Sequence, residues 1–164
     1  MIKKISQSIL LFLTVGLILS LGSCNPASKY EKAESESIQN YLNNHPADTF
    51  DLKKSGLYYH KVLEGTGRTP VLHDTAYAIY TGMFLDGTVF DSNVGKDQLK
   101  FPVAEGYLIA GFDEGIQYMN EGGKATFLIP SKLAYGSQGY YTIGGYTPLL
   151  YEVELVHVTP GPGK

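Results

Sequence analysis

The 164-residue chain has no Trp and one Cys, Cys24. A lone thiol excludes a disulfide within the chain. Charged residues make up only 18%, the formal net charge is −3, and no basic stripe marks the sequence. That excludes the electrostatic footprint of a nucleic-acid binder. The longest apolar run, Ile9 to Leu21, holds 13 residues, short of the about 20 that a membrane-spanning helix needs. There is no internal repeat and no low-complexity tract. His45, His60, His73 and His157 lack metal-ligand spacing. Gly136-Ser137-Gln138-Gly139 misses a nucleophile elbow by one position. Gly65-Thr66-Gly67 lacks the following glycine and helix of a dinucleotide site. Nothing in the sequence asks for a metal or cofactor.

What is present is a globular composition: 43% hydrophobic residues, with 13 Tyr, 7 Phe and 19 Gly. These numbers suit one domain with a modest extension, built from aromatic-rich strands joined by tight turns. Lys3 and Lys4 precede the apolar run, which ends in Leu21-Gly22-Ser23-Cys24. The segment resembles the lipobox of bacterial lipoproteins; the other reading is a plain secretory signal. The resemblance implies removal of residues 1–23 as a signal peptide and acylation of Cys24. Two or three acyl chains would give the multiple anchors that stable attachment requires. The remaining 141 residues would carry a net charge of −5, because Lys3 and Lys4 leave with the signal. Asn25 stands where Asp commonly marks inner-membrane retention, so the expected location is the outer membrane, facing the periplasm.

Residues 24–55 read as a tether with a short helix. Asn25 to Lys29 is polar, and Ile38, Tyr41 and Leu42 recur at helical spacing within Glu31 to Asn44. Pro46 stops that helix by disfavouring helical backbone at His45. Residues 56–158 read as the main domain, and 159–164 as a tail. Strands are expected at Leu57–Leu63, Thr75–Phe84, Thr88–Phe90, Lys100–Val103, Lys124–Pro130 and from Leu149. In the last, Tyr151, Val153 and Leu155 alternate with Glu152 and Glu154. Ile109, Phe112, Ile116 and Met119 make one apolar face of a short helix, with Asp113 and Glu114 near its positive end. The fold class is therefore α+β, an antiparallel sheet with one crossing helix.

Three motifs carry a more specific signal. Ala78-Ile79-Tyr80-Thr81-Gly82-Met83-Phe84 leads through an Asp86-Gly87 turn to Val89-Phe90-Asp91. Tyr107-Leu108-Ile109-Ala110-Gly111-Phe112 opens the helix, and Ile129-Pro130-Ser131-Lys132-Leu133-Ala134-Tyr135-Gly136 follows later. Together with Leu149 to Leu155 they resemble, in order, the signatures of the FK506-binding-protein (FKBP) family of peptidyl-prolyl isomerases, over about Gly56 to Val158. The Glu31–Asn44 helix followed by Ser55-Gly56-Leu57-Tyr58-Tyr59 is similar, more narrowly, to gliding-motility-associated lipoprotein members.

The resemblance implies a twisted sheet wrapped around one short helix and a pocket for a proline ring, enclosed by Tyr80, Phe90, Leu108, Ile109, Phe112 and Tyr151. Tyr80, Asp91 and Tyr135 would be catalytic, with the Ile109 N–H and the Tyr135 hydroxyl donating to substrate carbonyls. Asp91 either orients Tyr80 or accepts from the distorted amide; it also fits as a turn cap with Ser92 and Asn93. Leu99 is either pocket wall or core, and Ile143 aligns with a pocket-edge Ile. Implied partners are proline-containing polypeptides of the cell envelope and tacrolimus-type macrolides.

Two departures stand out. Ile143-Gly144-Gly145 replaces an Ile-Pro-Pro segment, which should leave the loop more mobile, with Tyr140 and Tyr141 adding aromatic surface over the groove. Phe112 replaces a Trp floor and should enlarge the pocket. The rival functions are a proline-peptide binding module without turnover and a dimeric chaperone paired through the N-terminal helix.

Overall fold

Alternating burial along the last strand sets the frame of the molecule. The computed structural model describes residues 26–162, so the lipidation expected at Cys24 lies outside the described residues. Seven strands form one sheet: β1 (Asp51–Leu52), β2 (Tyr58–Leu63), β3 (Thr75–Met83), β4 (Val89–Ser92), β5 (Leu99–Pro102), β6 (Lys124–Ile129) and β7 (Leu149–Thr159). The order is β1-β2-β6-β7-β3, all antiparallel, and the far edge of β3 pairs with β5 along its first half and with β4 along its second. Tyr151, Val153 and Leu155 on β7 are buried while Glu152 between them is exposed.

Helix α2 (Ala110–Ile116) crosses one face of the sheet. Phe112 and Ile116 join Phe127, Ile129, Leu149, Tyr151 and Leu155 in the main core. The helix lies unusually close because Gly111 and Gly115 face the sheet. A Cβ on Gly111 would sit 2.4 Å from Ile129 Cγ2, and one on Gly115 2.6 Å from Phe127 Cε2. At the start of α2, Asp113 is buried and its Oδ1 accepts from the Ala104 N–H at 2.8 Å, pinning the incoming loop.

Helix α1 (Pro26–Asn44) covers part of the opposite face, where Ile38, Tyr41 and Leu42 pack with Leu128, Leu150, Tyr58 and Met83. Two-sided cover explains why Phe127, Leu128 and Ile129 are all buried instead of alternating. The helix begins five residues before the expected Glu31, so residues 26–29 are helical and not a loose tether. Pro26 suits a first helical position, where the N–H it lacks has no partner within the helix. β1 is a two-residue strand that its sequence does not signal.

The gap between β4 and β5 is closed by a side chain. Asn93 accepts from the Tyr80 N–H at 2.7 Å and donates to the carbonyls of Ala78 (3.0 Å) and Asp97 (3.2 Å). Its own N–H donates to Tyr80 O at 3.2 Å. A carboxamide thus completes the ladder where the backbone leaves it open, and holds Tyr80 in place.

Candidate active site

Beside α2 lies a cavity of about 420 Å³, lined by Tyr80, Asp91, Leu99, Tyr107, Leu108, Ile109, Phe112, Tyr135, Tyr140 and Tyr151. Its base is a cluster of edge-on rings. Phe112 meets Tyr151 at 5.2 Å and 83°, and Tyr80 at 5.8 Å and 80°. Such T-shaped pairs are favoured because the positive edge of one ring faces the negative face of the other. Phe112 is 3% exposed and also touches Phe101 and Phe127, so the floor is fixed from behind.

Polar groups share the lining with these rings. Tyr80 OH donates to Asp91 Oδ2 at 2.5 Å. Burial raises the Tyr80 phenol well above its ordinary pKa, and the hydrogen bond to Asp91 raises it further. Tyr151 is likewise raised by burial and then by the nearby Tyr135, Tyr80 and Asp91; Tyr135 is raised by burial, Tyr140 and Asp91. The three phenols are held as proton donors. Ile109 precedes the first turn of α2, with its carbonyl accepting from Phe112 (3.0 Å) and Asp113 (3.1 Å). Its own N–H donates to no acceptor among the described residues.

Tyr135 follows the 3₁₀ turn Ser131–Leu133. Its ring stacks on Tyr140 at 5.0 Å and 10°, and Tyr140 in turn meets Tyr141 edge-on at 4.8 Å. Tyr140 and Ile143 exchange two backbone hydrogen bonds, of 2.8 and 2.9 Å, around a tight turn that puts Tyr141 at φ 50°. The glycines beyond have a structural use other than the expected mobility: a Cβ on Gly145 would lie 2.1 Å from the Ser137 carbonyl oxygen. Gly145 permits a close backbone approach.

The structure brings together Tyr80, Asp91, Leu99, Leu108, Ile109, Phe112, Tyr135 and Tyr151, and leaves Phe90 and Ile143 outside the lining. Phe90 stands behind it, edge-on to Tyr151 at 5.7 Å and against Phe84 at 5.2 Å. It reaches Tyr151 over Gly82, where a Cβ would fall 2.8 Å from Phe90 Cζ. Ile143 is 6% exposed and belongs to the core, drawn inward by its bonds to Tyr140. Tyr107 lines the cavity although sequence reasoning gave it no role; its place just before Leu108-Ile109 was the available signal. Leu99 is both wall and core neighbour. A second concavity, of about 380 Å³, lies on the sheet's other face, but its floor carries Glu152 and the Lys124–Glu154 ion pair and no aromatic cluster.

Residues 66–156 match the family described as FKBP-type peptidyl-prolyl cis-trans isomerase. A probable isomerase of that type, FkpA of Neisseria meningitidis, is 38% identical over 130 residues, covering 77% of this chain and 47% of its own length. FkpA of Aeromonas hydrophila is 36% identical over 135 residues, covering 77% and 50%. The chain thus spans about half the length of these curated relatives. The crystal structure of Escherichia coli FkpA superposes with a TM-score of 0.71 at 31% identity, over 82% of this chain and 65% of that one. A Pseudomonas syringae peptidyl-prolyl cis-trans isomerase gives a TM-score of 0.69 at 28% identity, over 85% of this chain and all of the other. Taken with the aromatic cavity beside α2, these matches establish that the chain belongs to the FKBP-type peptidyl-prolyl cis-trans isomerase family.

Proposed function

We propose that this protein accelerates cis–trans exchange about X-Pro bonds in polypeptides of the cell envelope. The observation that carries the reading is the cavity itself: Phe112 edge-on to Tyr80 and to Tyr151, with Tyr135 and Ile109, a hydroxyl and an N–H donor, also in the lining. The chemistry needs no bond to another atom. Rotation is slow because amide resonance must be broken, a barrier of roughly 18–20 kcal/mol. The planar amide is more dipolar than the twisted one, so an apolar enclosure disfavours the ground state more than the transition state. Donors that hold the flanking carbonyls fix one side of the bond while the other turns. The Asp91-bound Tyr80 keeps the wall rigid and places a carboxylate beside the reacting amide.

The test is the cis-to-trans rate of a proline test peptide with the full-length protein in detergent. Tyr135→Phe removes one donor, worth about 1.4 kcal/mol, and should lower kcat/KM about tenfold. Asp91→Ala should also lower it, Phe90→Ala should act through the displaced Tyr151, and tacrolimus should compete. A folded protein that binds the peptide without accelerating exchange would instead be a recognition module. The Ile143-Gly144-Gly145 segment in place of the family's Ile-Pro-Pro is the feature that favours that second reading.

The location belongs to the same proposal. Leu21-Gly22-Ser23-Cys24 supports acylation of Cys24 and attachment to the periplasmic face of the outer membrane. The clients are then envelope proteins whose folding waits on proline isomerisation.

A further inference from the structure

Tyr30 and Glu34 lie one helical turn apart on α1, on the face that continues into Ile38 and Leu42. The apolar end of that face packs on the sheet; the polar end does something else. Both carboxylate oxygens of Glu34 are engaged by Ser131, 97 residues away, one by its N–H at 2.5 Å and one by its hydroxyl at 2.7 Å. Ser131 is 4% exposed. Its carbonyl accepts from the N–H groups of Ala134 (2.9 Å) and Gly136 (2.8 Å), the two neighbours of Tyr135. Gly136 O accepts from the Tyr146 N–H at 2.9 Å. The Tyr146 ring stacks on Tyr30 at 5.3 Å and 13°. The circuit therefore closes from Tyr30 and Glu34 on the helix, through Ser131, Gly136 and Tyr146, back to Tyr30. Tyr135 hangs inside it.

Backbone strain points the same way. Tyr146 is held at φ 57°, a left-handed conformation that bulky residues avoid. Such a conformation persists only where its surroundings over-determine it. Here they are the Gly136 bond on one side and the Tyr30 ring on the other.

We infer that Tyr30 and Glu34 are positioning residues for the Tyr135 hydroxyl, so that α1 is a working part of the isomerase site. This rests on the isomerase reading above, in which Tyr135 donates to substrate. Loss of either clamp lets the segment from Ser131 to Gly136 shift, and the hydroxyl leaves its place without any group at the cavity being changed.

The experiment is a mutant cycle on the full-length protein in detergent, with amide exchange as a second readout. Glu34→Ala and Tyr30→Ala should each lower kcat/KM roughly three- to tenfold, because misplacing a contact by a fraction of an ångström already costs rate. Tyr30→Phe keeps the stack and should behave as wild type. In a Tyr135→Phe background, Glu34→Ala should have no further effect, since the group it positions is gone. Amide exchange at Gly136 and Tyr146 should quicken in Glu34→Ala, independently of activity. Equal losses in both backgrounds would overturn the inference and leave Glu34 a stability contact only; so would unchanged exchange at Gly136 and Tyr146. If the wild-type protein binds a proline peptide without turning it over, the isomerase reading fails. The same cycle is then scored on peptide Kd, and additivity there overturns the positioning role. A Tyr135→Phe protein indistinguishable from wild type in both readouts would overturn it too.

Discussion

Tyr80 shows how much one residue of this site has to satisfy. Its N–H and carbonyl both engage Asn93, while its hydroxyl donates to Asp91. Burial and that hydrogen bond keep the phenol protonated far above the ordinary range, and Tyr135 and Tyr151 are shifted in the same direction. A catalytic rate that depends on these donors should stay flat from neutral pH to about 9.5, below the ordinary phenol pKa near 10. A pH profile of kcat/KM with an alkaline limb centred near pH 8 would show that another group titrates in the mechanism. Asp74 carries the opposite sign. It is fully buried, and burial alone would raise its pKa, but bonds from the N–H groups of Gly161 and Val71 and from Arg68 outweigh that and hold it well below the usual range. A depressed carboxylate contributes stability that is present above the unfolded pKa of about 3.9 and is lost as pH falls through the lower folded value. Thermal unfolding of the wild type should therefore fall off below about pH 4, with part of that loss missing in Asp74→Asn, which starts about 2–4 kcal/mol less stable. An unchanged melting temperature in Asp74→Asn would sink this account. The aromatic residues that line the cavity were named from the family resemblance of the motifs that hold them; apolar pattern alone would have made Phe112 and Tyr151 plain core. Phe90, named from the same resemblance, stands against the lining residue Tyr151, and that packing could not be seen before the fold placed the two rings together. The carboxamide of Asn93 was invisible as a ladder partner, because its role depends on a gap between β4 and β5 that only the fold creates.

At the scale of elements, α2 is the part on which the cavity depends most, and its glycines are the reason it fits. Helix propensity alone says that Gly115→Ala should stabilise by about 1 kcal/mol. Packing says otherwise. The new methyl would press on Phe127, which is fully buried and edge-on to the pocket floor Phe112 at 5.8 Å. Overpacking of this kind costs about 1–3 kcal/mol, so Gly115→Ala should unfold at a lower temperature and, on the proposed function, lose isomerase rate as Phe112 moves. A more stable, fully active Gly115→Ala protein would show that α2 can lift off the sheet freely. The sequence does not reveal this contact, because periodicity marks the apolar residues of a helix and passes over its smallest ones. The strands from β2 onward were readable from alternation and turns. The early start of α1 was not, since Pro26, Ser28 and Lys29 resemble a linker until Tyr30 and Glu34 are seen to have partners 116 and 97 residues on.

For the molecule as a whole, the position of α1 gives the proposed anchor a physical meaning. If Cys24 is acylated, Asn25 alone separates it from the helix. A helix of 19 residues is roughly 28 Å long, and it is docked on the sheet and on the segment that holds Tyr135. The cavity would then be carried at a set height above the lipid instead of on a long leash. Electrostatics offers no help in holding it there. A net charge of −5 after removal of residues 1–23 would give no attraction to anionic headgroups, so the proposed attachment rests on the acyl chains. Two outcomes follow for membrane fractionation of cells producing the protein. The wild-type protein should stay with the membranes through a high-salt wash that strips electrostatically bound proteins. Cys24→Ser should appear in the soluble fraction or be retained as unprocessed precursor, without incorporated palmitate. Salt-released wild-type protein, or a Cys24→Ser protein that is processed and still pellets with membranes, would mean that the hold on the envelope comes from a protein partner and not from lipid.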